Sequence, residues 1–217
     1  HAVVALHCPA SDPIHKATII PRGRALGMVM RLPEGDRISL ARDNIYADLR
    51  VACGGRIAED LIFGVDKVTT GASSDIRMAT DMARRMVTEW GMSDKLGFLA
   101  YSANEQEVFL GRSVSQQKNM ADATASIIDA EVRRIVDEAY DAATKILKKY
   151  NVELERLAQG LLEYETLDGE EIKIIVEGGT LVRKDADDTP VKPGPVRKSR
   201  TGLPGTGRPK KPGGEPA

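Results

Sequence analysis

The chain has 217 residues, enough for one domain with a tail, and its 41% apolar and 29% charged residues are typical of a globular protein. Aromatic residues make up only 4%, which favours packed helices over a β-sandwich, and the net charge of −1 excludes a global field that would attract nucleic acid. No apolar stretch reaches the ~18 residues of a membrane-spanning helix, and Cys8 and Cys53 are too few for a disulfide framework, which predicts two buried free thiols.

The first part of the chain is predicted to contain a helix end, two strands and a long helix. Residues 1–8 match the end of a helix that stops at Pro9. Residues 17–20 and 26–32 then predict two short strands on either side of a turn, and residues 39–63 follow a helical pattern. The strands together predict a small β-hairpin.

Gly54 and Gly55 interrupt the helical pattern of residues 39–63. Two glycines inside a helix cost about 1–2 kcal/mol together, because glycine loses more backbone freedom than other residues. The pair therefore predicts that another part of the molecule approaches closely at this point, and helix–helix packing is the simplest interpretation.

A second helix is predicted to start at Ser73, Ser74 and Asp75, whose side-chain oxygens can cap it, and to end at Gly91. Its apolar residues recur at spacings of three and four and predict the buried face: Ile76, Ala79, Ala83, Met86 and Trp90. Residues 107–111 read as a short extended segment after it.

The longest helix is predicted over residues 122–150, with an apolar stripe formed by Ile128, Val132, Ile135, Ala139, Ala142 and Ile146. Another helix follows over 152–164. Asp168 with Glu171 then predicts a capped short helix that ends near Gly178.

The composition changes after Gly178. Seven of the eleven prolines lie between Pro190 and Pro216, and from Arg183 onward nine Lys or Arg residues stand against four Asp or Glu. Such a segment cannot build a core, so we expect a disordered basic tail. The predicted organisation is a mainly α domain over residues 1–178, with a small β-hairpin, and a tail over 179–217.

The residues on their own give weak evidence of a site. A histidine at the start of a chain is normally solvated, and Asp75 fits a helix cap. His7 and His15 are not spaced to share a helix face with His1, and they are interpreted as structural.

A series of motifs gives stronger evidence of a site than the single residues do. The chain reads HAVVALH, DPIHKATIIPRGRALGMVMRLPEGD, GGRIAEDLIFG, TTGASSDIRMATDMARRMVTEWGMSDKLG and EVFLGRS, followed by IIDAEVRRIVDEAYDAATKIL and YETLDGEEI. In this order they resemble the peptidase region of the FtsH family of AAA+ proteases, from His1 to about Val176. The resemblance implies a mainly helical zinc metalloprotease domain.

The resemblance also implies which residues hold the metal. The family motif is His-Glu-Ala-Gly-His, and His1 corresponds to its last histidine. Two histidines four residues apart share one helix face and can bind one Zn²⁺, while the glutamate serves as general base on the zinc-bound water. The third ligand corresponds to Asp75. Glu59 is the rival candidate for this position, and it is otherwise expected to orient a ligand or to be structural.

A substrate strand is the other expected feature. An exposed edge strand can pair with an extended peptide through backbone hydrogen bonds almost regardless of sequence. The resemblance agrees that the segment with Gly27, Met28, Val29 and Met30 borders the active-site cleft. A plain structural hairpin is the alternative.

Partners and location are likewise implied by the resemblance. They are polypeptide substrates, a homo-hexameric ring, an upstream ATPase domain that binds ATP, and upstream segments that anchor the protein in the bacterial inner membrane with the peptidase facing the cytoplasm. No Gly-rich phosphate loop occurs in this sequence. The basic tail lacks interleaved aromatic residues, so no specific nucleic acid is expected.

Because the first zinc histidine and the general-base glutamate would precede His1, no catalytic residue is assigned within the chain, and this fragment is expected to be inactive. Two other functions stay open. One is a non-catalytic helical module that assembles a ring, and the other is weak electrostatic contact of the tail with nucleic acid.

Overall fold

A computed structural model describes residues 1–21, 23, 27–33, 35, 38–101 and 121–181. The described residues form one compact unit that extends from His1 to Leu181. The extended segment expected at 107–111 lies outside them, and so does the tail after residue 181. Within the described ranges, no helix is long and apolar enough to cross a membrane.

The described part of the chain is mostly helical, which confirms the predicted fold class. The elements are α1 (Ala2–Leu6), β1 (Ile14–Thr18), β2 (Met28–Arg31), α2 (Arg42–Phe63), two short 3₁₀ turns (Val65–Lys67 and Thr70–Ala72), α3 (Ser73–Thr88), α4 (Asp122–Lys149), α5 (Asn151–Tyr164), β3 (Thr166–Asp168) and α6 (Gly169–Val176).

The sheet has three antiparallel strands in the order β2-β1-β3. The predicted hairpin is present, but the first strand was placed too late, because it spans Ile14–Thr18 and not 17–20. The third strand was not predicted. It has only three residues, and it exists because Thr166–Asp168 pairs with the far end of the chain at β1.

The core consists of two clusters that both draw on α2 and α4. One cluster joins α1, the sheet, α5 and α6, and includes Val3, Leu147, Leu167 and Ile172. The other joins α2, α3 and α4, and includes Leu49, Met86 and Ile135. Helices α2 and α4 therefore fix the positions of α1 and α3, which carry the candidate site residues.

Helix α2 runs without a break through Gly54 and Gly55, so the predicted interruption is wrong. The predicted close approach is present, because α1 packs at this point of α2. The two glycines therefore leave room for α1 and do not break the helix.

Four details of α3 and α4 differ from prediction. No side-chain cap hydrogen bond is made at the N-terminus of α3, whose cap position is Ala72, and α3 ends at Thr88 before Gly91. Ile76 is exposed. On α4 the buried stripe follows the prediction as far as Ala139 and then continues through Ala143 and Leu147, not through Ala142 and Ile146. The predicted capping box of Asp168 and Glu171 is confirmed at the start of α6.

Candidate metal centre

His1 lies against the middle of α2. A Cβ built on Gly54 would come within 3.1 Å of the His1 backbone nitrogen, and a Cβ built on Gly55 would come within 2.7 Å of the His1 Nε2. Only glycine leaves room for the start of α1 and for its imidazole. The contact fixes where the ring lies relative to α2.

The orientation of the His1 imidazole is set by the backbone of α2. Its Nδ1 donates to the carbonyl oxygen of Val51 at 2.7 Å. A carbonyl only accepts, so Nδ1 carries the proton, and in the neutral ring Nε2 then carries the lone pair. Ring nitrogens that bind metals in proteins commonly have their other nitrogen held in this way.

Asp75 meets this imidazole from another helix. It lies in the first turn of α3, and its Oδ2 is 3.5 Å from the His1 Nε2. The two side chains are 34% and 31% exposed, so solvent reaches both. The interpretation of Asp75 as a helix cap has no support, since no side-chain cap hydrogen bond is made at the start of α3.

The donor set and the spacing fit zinc. Imidazole nitrogen and carboxylate oxygen are common zinc ligands, and two such atoms at about 2.0–2.2 Å from a tetrahedral ion lie about 3.4 Å apart. The separation of 3.5 Å between the His1 Nε2 and the Asp75 Oδ2 agrees with this. A lone pair and a carboxylate oxygen at this distance repel each other, and a cation or proton between them would remove the repulsion. The described residues contain no group of three or more His, Cys, Asp or Glu side chains that could hold a metal.

Glu59 is committed to the loop that precedes α3. Its two carboxylate oxygens accept from the Thr69 backbone N–H and from the Thr69 hydroxyl, both at 2.9 Å. These two hydrogen bonds from Thr69 lower the pKa of Glu59 below its usual range. Arg56 donates to the Thr69 carbonyl from the same side. This geometry favours Glu59 as a residue that positions the start of α3 over Glu59 as a ligand.

Two further ionisable groups lie near the site and were not assigned from the sequence. Burial, and then the charge of Asp75, raise the pKa of Cys53 to about 11, so this thiol stays protonated at neutral pH. Burial, and then a hydrogen bond to Asp60 at 2.7 Å, raise the pKa of Tyr140 to about 12. Both groups are neutral neighbours of the site.

The roles of Val51 and Thr69 were not predicted from the sequence. Val51 acts through its backbone carbonyl, which has no signature in a sequence, and only the adjacent glycine pair pointed to this part of α2. Thr69 acts through one backbone and one side-chain donor. The TTG segment that contains it was noted only as part of a motif.

The expected substrate strand is at an edge of the sheet. The strand order places β2, which contains Met28, Val29 and Met30, next to β1 on one side only. The Leu32 N–H donates to Pro13, on the side of β1. Backbone groups alternate along a strand, so Met30 also faces β1, and the N–H and C=O of Val29 face the open edge.

Gly27 begins this segment where the hairpin is narrow. A Cβ built on it would lie 2.8 Å from the Thr18 carbonyl oxygen of β1, so the close approach requires glycine.

The other two histidines, His7 and His15, make contacts away from the candidate metal centre. The His7 Nε2 donates to the Glu153 carboxylate at 2.7 Å and the ring stacks on Tyr150, and His15 lies at the irregularity in β1.

The chain is similar to known peptidases over most of its length. The model of peptidase family M41 matches residues 1–175. A relative from Caulobacter vibrioides, named ATP-dependent zinc metalloprotease FtsH, is 55% identical over 82% of this chain, and one of the same name from Rickettsia bellii is 52% identical over 88%. A third, from Photobacterium profundum, is 47% identical over 87%. The chain spans 28%, 30% and 28% of the length of these relatives.

Proposed function

The chain belongs to peptidase family M41 and carries a zinc metalloprotease domain, and from this premise we propose that His1 and Asp75 are two of the protein ligands of a catalytic zinc ion. The proposal rests on one observation above all. Two donor atoms from different helices, the His1 Nε2 and the Asp75 Oδ2, lie 3.5 Å apart, with the ring held by the Val51 carbonyl.

Each residue has a defined part in this proposal. Bound zinc would supply Lewis-acid chemistry, because it polarises a water molecule or a peptide carbonyl. His1 presents an unprotonated Nε2, since the Val51 carbonyl holds the proton on Nδ1. Asp75 contributes a negative charge that favours a cation at this position. Glu59 holds Thr69 and thereby the loop that leads into the first turn of α3, where Asp75 lies.

The remaining ligand and the base are proposed to precede His1. The family motif has a histidine and a glutamate four and three residues before the histidine that His1 matches. We therefore expect the 217 residues alone to bind zinc weakly and to be inactive as a peptidase. An extended chain, with His-Glu-Ala-Gly and the preceding helical turns placed before His1, is expected to be active.

This proposal is tested with the extended chain and a fluorescently labelled unfolded polypeptide. We expect cleavage that a chelator abolishes and added Zn²⁺ restores. Asp75→Asn is expected to remove both cleavage and tight zinc binding. Asp81→Asn is the matched control, because Asp81 is an exposed aspartate on the same helix. Cleavage that survives Asp75→Asn would refute the ligand assignment, and a folded extended chain with no activity would favour the non-catalytic assembly module.

The open edge of β2 is proposed to bind the substrate backbone. Val29 points its N–H and C=O away from β1, so an extended peptide can pair there without displacing a strand. Side-chain pockets would add little, because the contacts are made by the backbone. This suits a protease that must accept many sequences.

Val29→Pro tests whether the open edge of β2 binds the substrate backbone, and Val29→Ala is its control. Proline removes one outward N–H and leaves the bonds to β1 intact, whereas alanine loses the same side chain and keeps the donor. In the extended chain we expect a KM at least about fivefold higher for Val29→Pro than for Val29→Ala, equivalent to about 1 kcal/mol for one hydrogen bond. Equal KM values would leave β2 a structural strand.

Assembly and location are proposed from the FtsH family resemblance. The chain would act in a homo-hexamer, below an ATPase domain that feeds it unfolded or membrane polypeptides, with upstream segments that anchor the protein in a bacterial inner membrane. Sedimentation of a full-length protein that contains this chain tests the ring. A species of six copies is expected, and a stable monomer with full ATP-dependent activity would contradict it.

A further inference from the structure

The glycine pair in α2 has a chemical consequence at the backbone. In an α-helix each carbonyl accepts from the N–H four residues later, so the Val51 carbonyl is the partner of the Gly55 N–H. Yet the same carbonyl accepts a second bond, from the His1 Nδ1 at 2.7 Å. A carbonyl has two lone pairs, and the second becomes usable only where nothing covers it.

Side chains normally cover that lone pair. They lean toward the helix N-terminus and lie over the preceding turn, so residues three and four positions after a carbonyl shield it. For Val51 those positions are Gly54 and Gly55. The pair thus opens one carbonyl in the middle of an otherwise ordinary helix.

The two glycines do different things in this opening. A Cβ on Gly54 would meet the His1 backbone and the Val4 side chain, at 3.1 Å each. The three atoms nearest to a Cβ on Gly55 all belong to the imidazole, with Nε2 at 2.7 Å and Cε1 at 3.0 Å. Gly54 therefore admits the start of α1, and Gly55 admits the ring itself.

We propose that Gly55 is a positioning residue of the metal centre: its missing side chain lets the His1 ring reach the Val51 carbonyl, which holds the proton on Nδ1 and directs Nε2 toward Asp75. The link to metal binding rests on the proposed function, because a ligand nitrogen must be free of a proton. The positioning of the ring rests only on the contacts that His1 makes with Val51 and Gly55.

The first test is spectroscopic and needs no metal. Imidazole ¹⁵N spectra of the labelled 217-residue chain are recorded with a chelator near pH 8.5, about two units above the usual histidine pKa. The His1 signal is assigned from its loss in His1→Ala. We expect the Nδ1–H form in the wild type and in the control Gly35→Ala, whose Cβ would meet nothing within 4 Å. In Gly55→Ala we expect a shift toward the Nε2–H form. An unchanged tautomer in Gly55→Ala would overturn the proposal.

The second test is a thermodynamic cycle, which holds even if Gly55→Ala is too unstable for spectroscopy. Alanine is a better helix former than glycine, so only the clash with the ring should make it harmful. Gly55→Ala is therefore expected to lower Tm in the wild type and to raise it in a His1→Ala background. Gly54→Ala, which meets backbone atoms, should lower Tm in both. Equal Tm changes for Gly55→Ala in the two backgrounds would refute the role.

Zinc separates this inference from the proposed function. In the extended chain, which carries the remaining proposed ligand, added Zn²⁺ should shift the His1 Nε2 signal, and Gly55→Ala should require at least tenfold more Zn²⁺ for the same shift. If zinc leaves His1 of the extended chain unaffected while the tautomer and the cycle behave as expected, the metal centre is refuted and the positioning of the ring stands.

Discussion

At the scale of single residues, the site depends on how each polar atom is already occupied. The Nδ1 of His1 is used by Val51, and both oxygens of Glu59 are used by Thr69. The His1 Nε2 and the Asp75 Oδ2 remain, and they face each other at 3.5 Å. Asp75 and Glu59 differ in the hydrogen bonds that their carboxylates make: both oxygens of Glu59 accept from Thr69, whereas one oxygen of Asp75 faces the His1 Nε2.

Glu59 is expected to affect zinc binding without being a ligand. In the extended chain Glu59→Ala should lower zinc affinity about tenfold, because it frees the loop before α3, whereas Asp75→Ala should lower it much further. Zinc competition with a fluorescent chelator measures both. Glu163→Ala, an exposed change on α5, is the control. A loss for Glu59→Ala as large as that for Asp75→Ala would make Glu59 the ligand.

Glu131 is the other residue whose charge matters. It is 1% exposed and binds Arg134, Lys95 and Ser93, which ties the segment after α3 to the middle of α4. Hydrogen bonds, first from Arg134 and then from Lys95 and Ser93, outweigh burial and lower the pKa of Glu131 to about 2. A carboxylate held so firmly stabilises the folded state in its charged form.

Glu131→Gln should therefore destabilise the protein by about 3 kcal/mol at pH 7, because the buried carboxylate loses its charge and with it the charge-assisted hydrogen bonds from Arg134, Lys95 and Ser93. The carboxylate contributes fully above the usual value of 4.5 and loses its contribution as pH falls toward about 2. The difference between variant and wild type should thus shrink from pH 4.5 to pH 2 in urea unfolding. Glu138→Gln, which changes an exposed partner of Arg134, should cost at most about 0.5 kcal/mol. A difference independent of pH would contradict this account.

At the scale of elements, sequence patterns predicted long helices well and short or distant features poorly. The capping box at Asp168 and Glu171 was predictable, since both hydrogen bonds join residues three apart. Strand β3 was not, because its three residues are extended only by pairing with β1. On α4, spacings of three and four fit equally well after Ala139, and packing within the first core cluster selects Ala143 and Leu147.

The candidate site shows the same division. The family motifs predicted His1 and Asp75 as ligands, since each side chain is itself the chemical group, and the structure brings these two side chains together. The Val51 carbonyl could not be identified, because any residue type offers one. The glycine pair was the only trace of it, and a helix that tolerates two glycines can equally indicate packing, as Gly54 in fact does.

The cap of α6 offers a direct test at this scale. Asp168→Ala removes an acceptor from the Glu171 N–H and should cost about 1 kcal/mol, whereas Asp168→Ser keeps an acceptor oxygen and should cost little. Thermal unfolding followed by circular dichroism measures the difference. Equal losses for the two variants would mean that the carboxylate acts by charge and not as a cap.

At the scale of the whole molecule, α2 and α4 join two core clusters into one compact unit. The site lies between α1, which packs in the first cluster, and α3, which packs in the second. Its geometry therefore depends on both clusters being folded at once. We expect a single cooperative transition for the described unit.

Leu147→Ala and Ile135→Ala test this coupling, because the two buried residues belong to different clusters. Each should cost about 3 kcal/mol. Trp90, which packs against the second cluster, reports that cluster by fluorescence, and circular dichroism reports all helices. Leu147→Ala should move both signals to the same lower urea midpoint. A shift in circular dichroism alone would show that the clusters unfold independently.

Whether His1 and Asp75 share one zinc ion can be measured directly by anomalous diffraction at the zinc edge from crystals of the extended chain. We expect one strong peak within bonding distance, about 2.0–2.2 Å, of both the His1 Nε2 and the Asp75 Oδ2. A strong peak bound to Glu59 in place of Asp75, or one away from both helices, would contradict it.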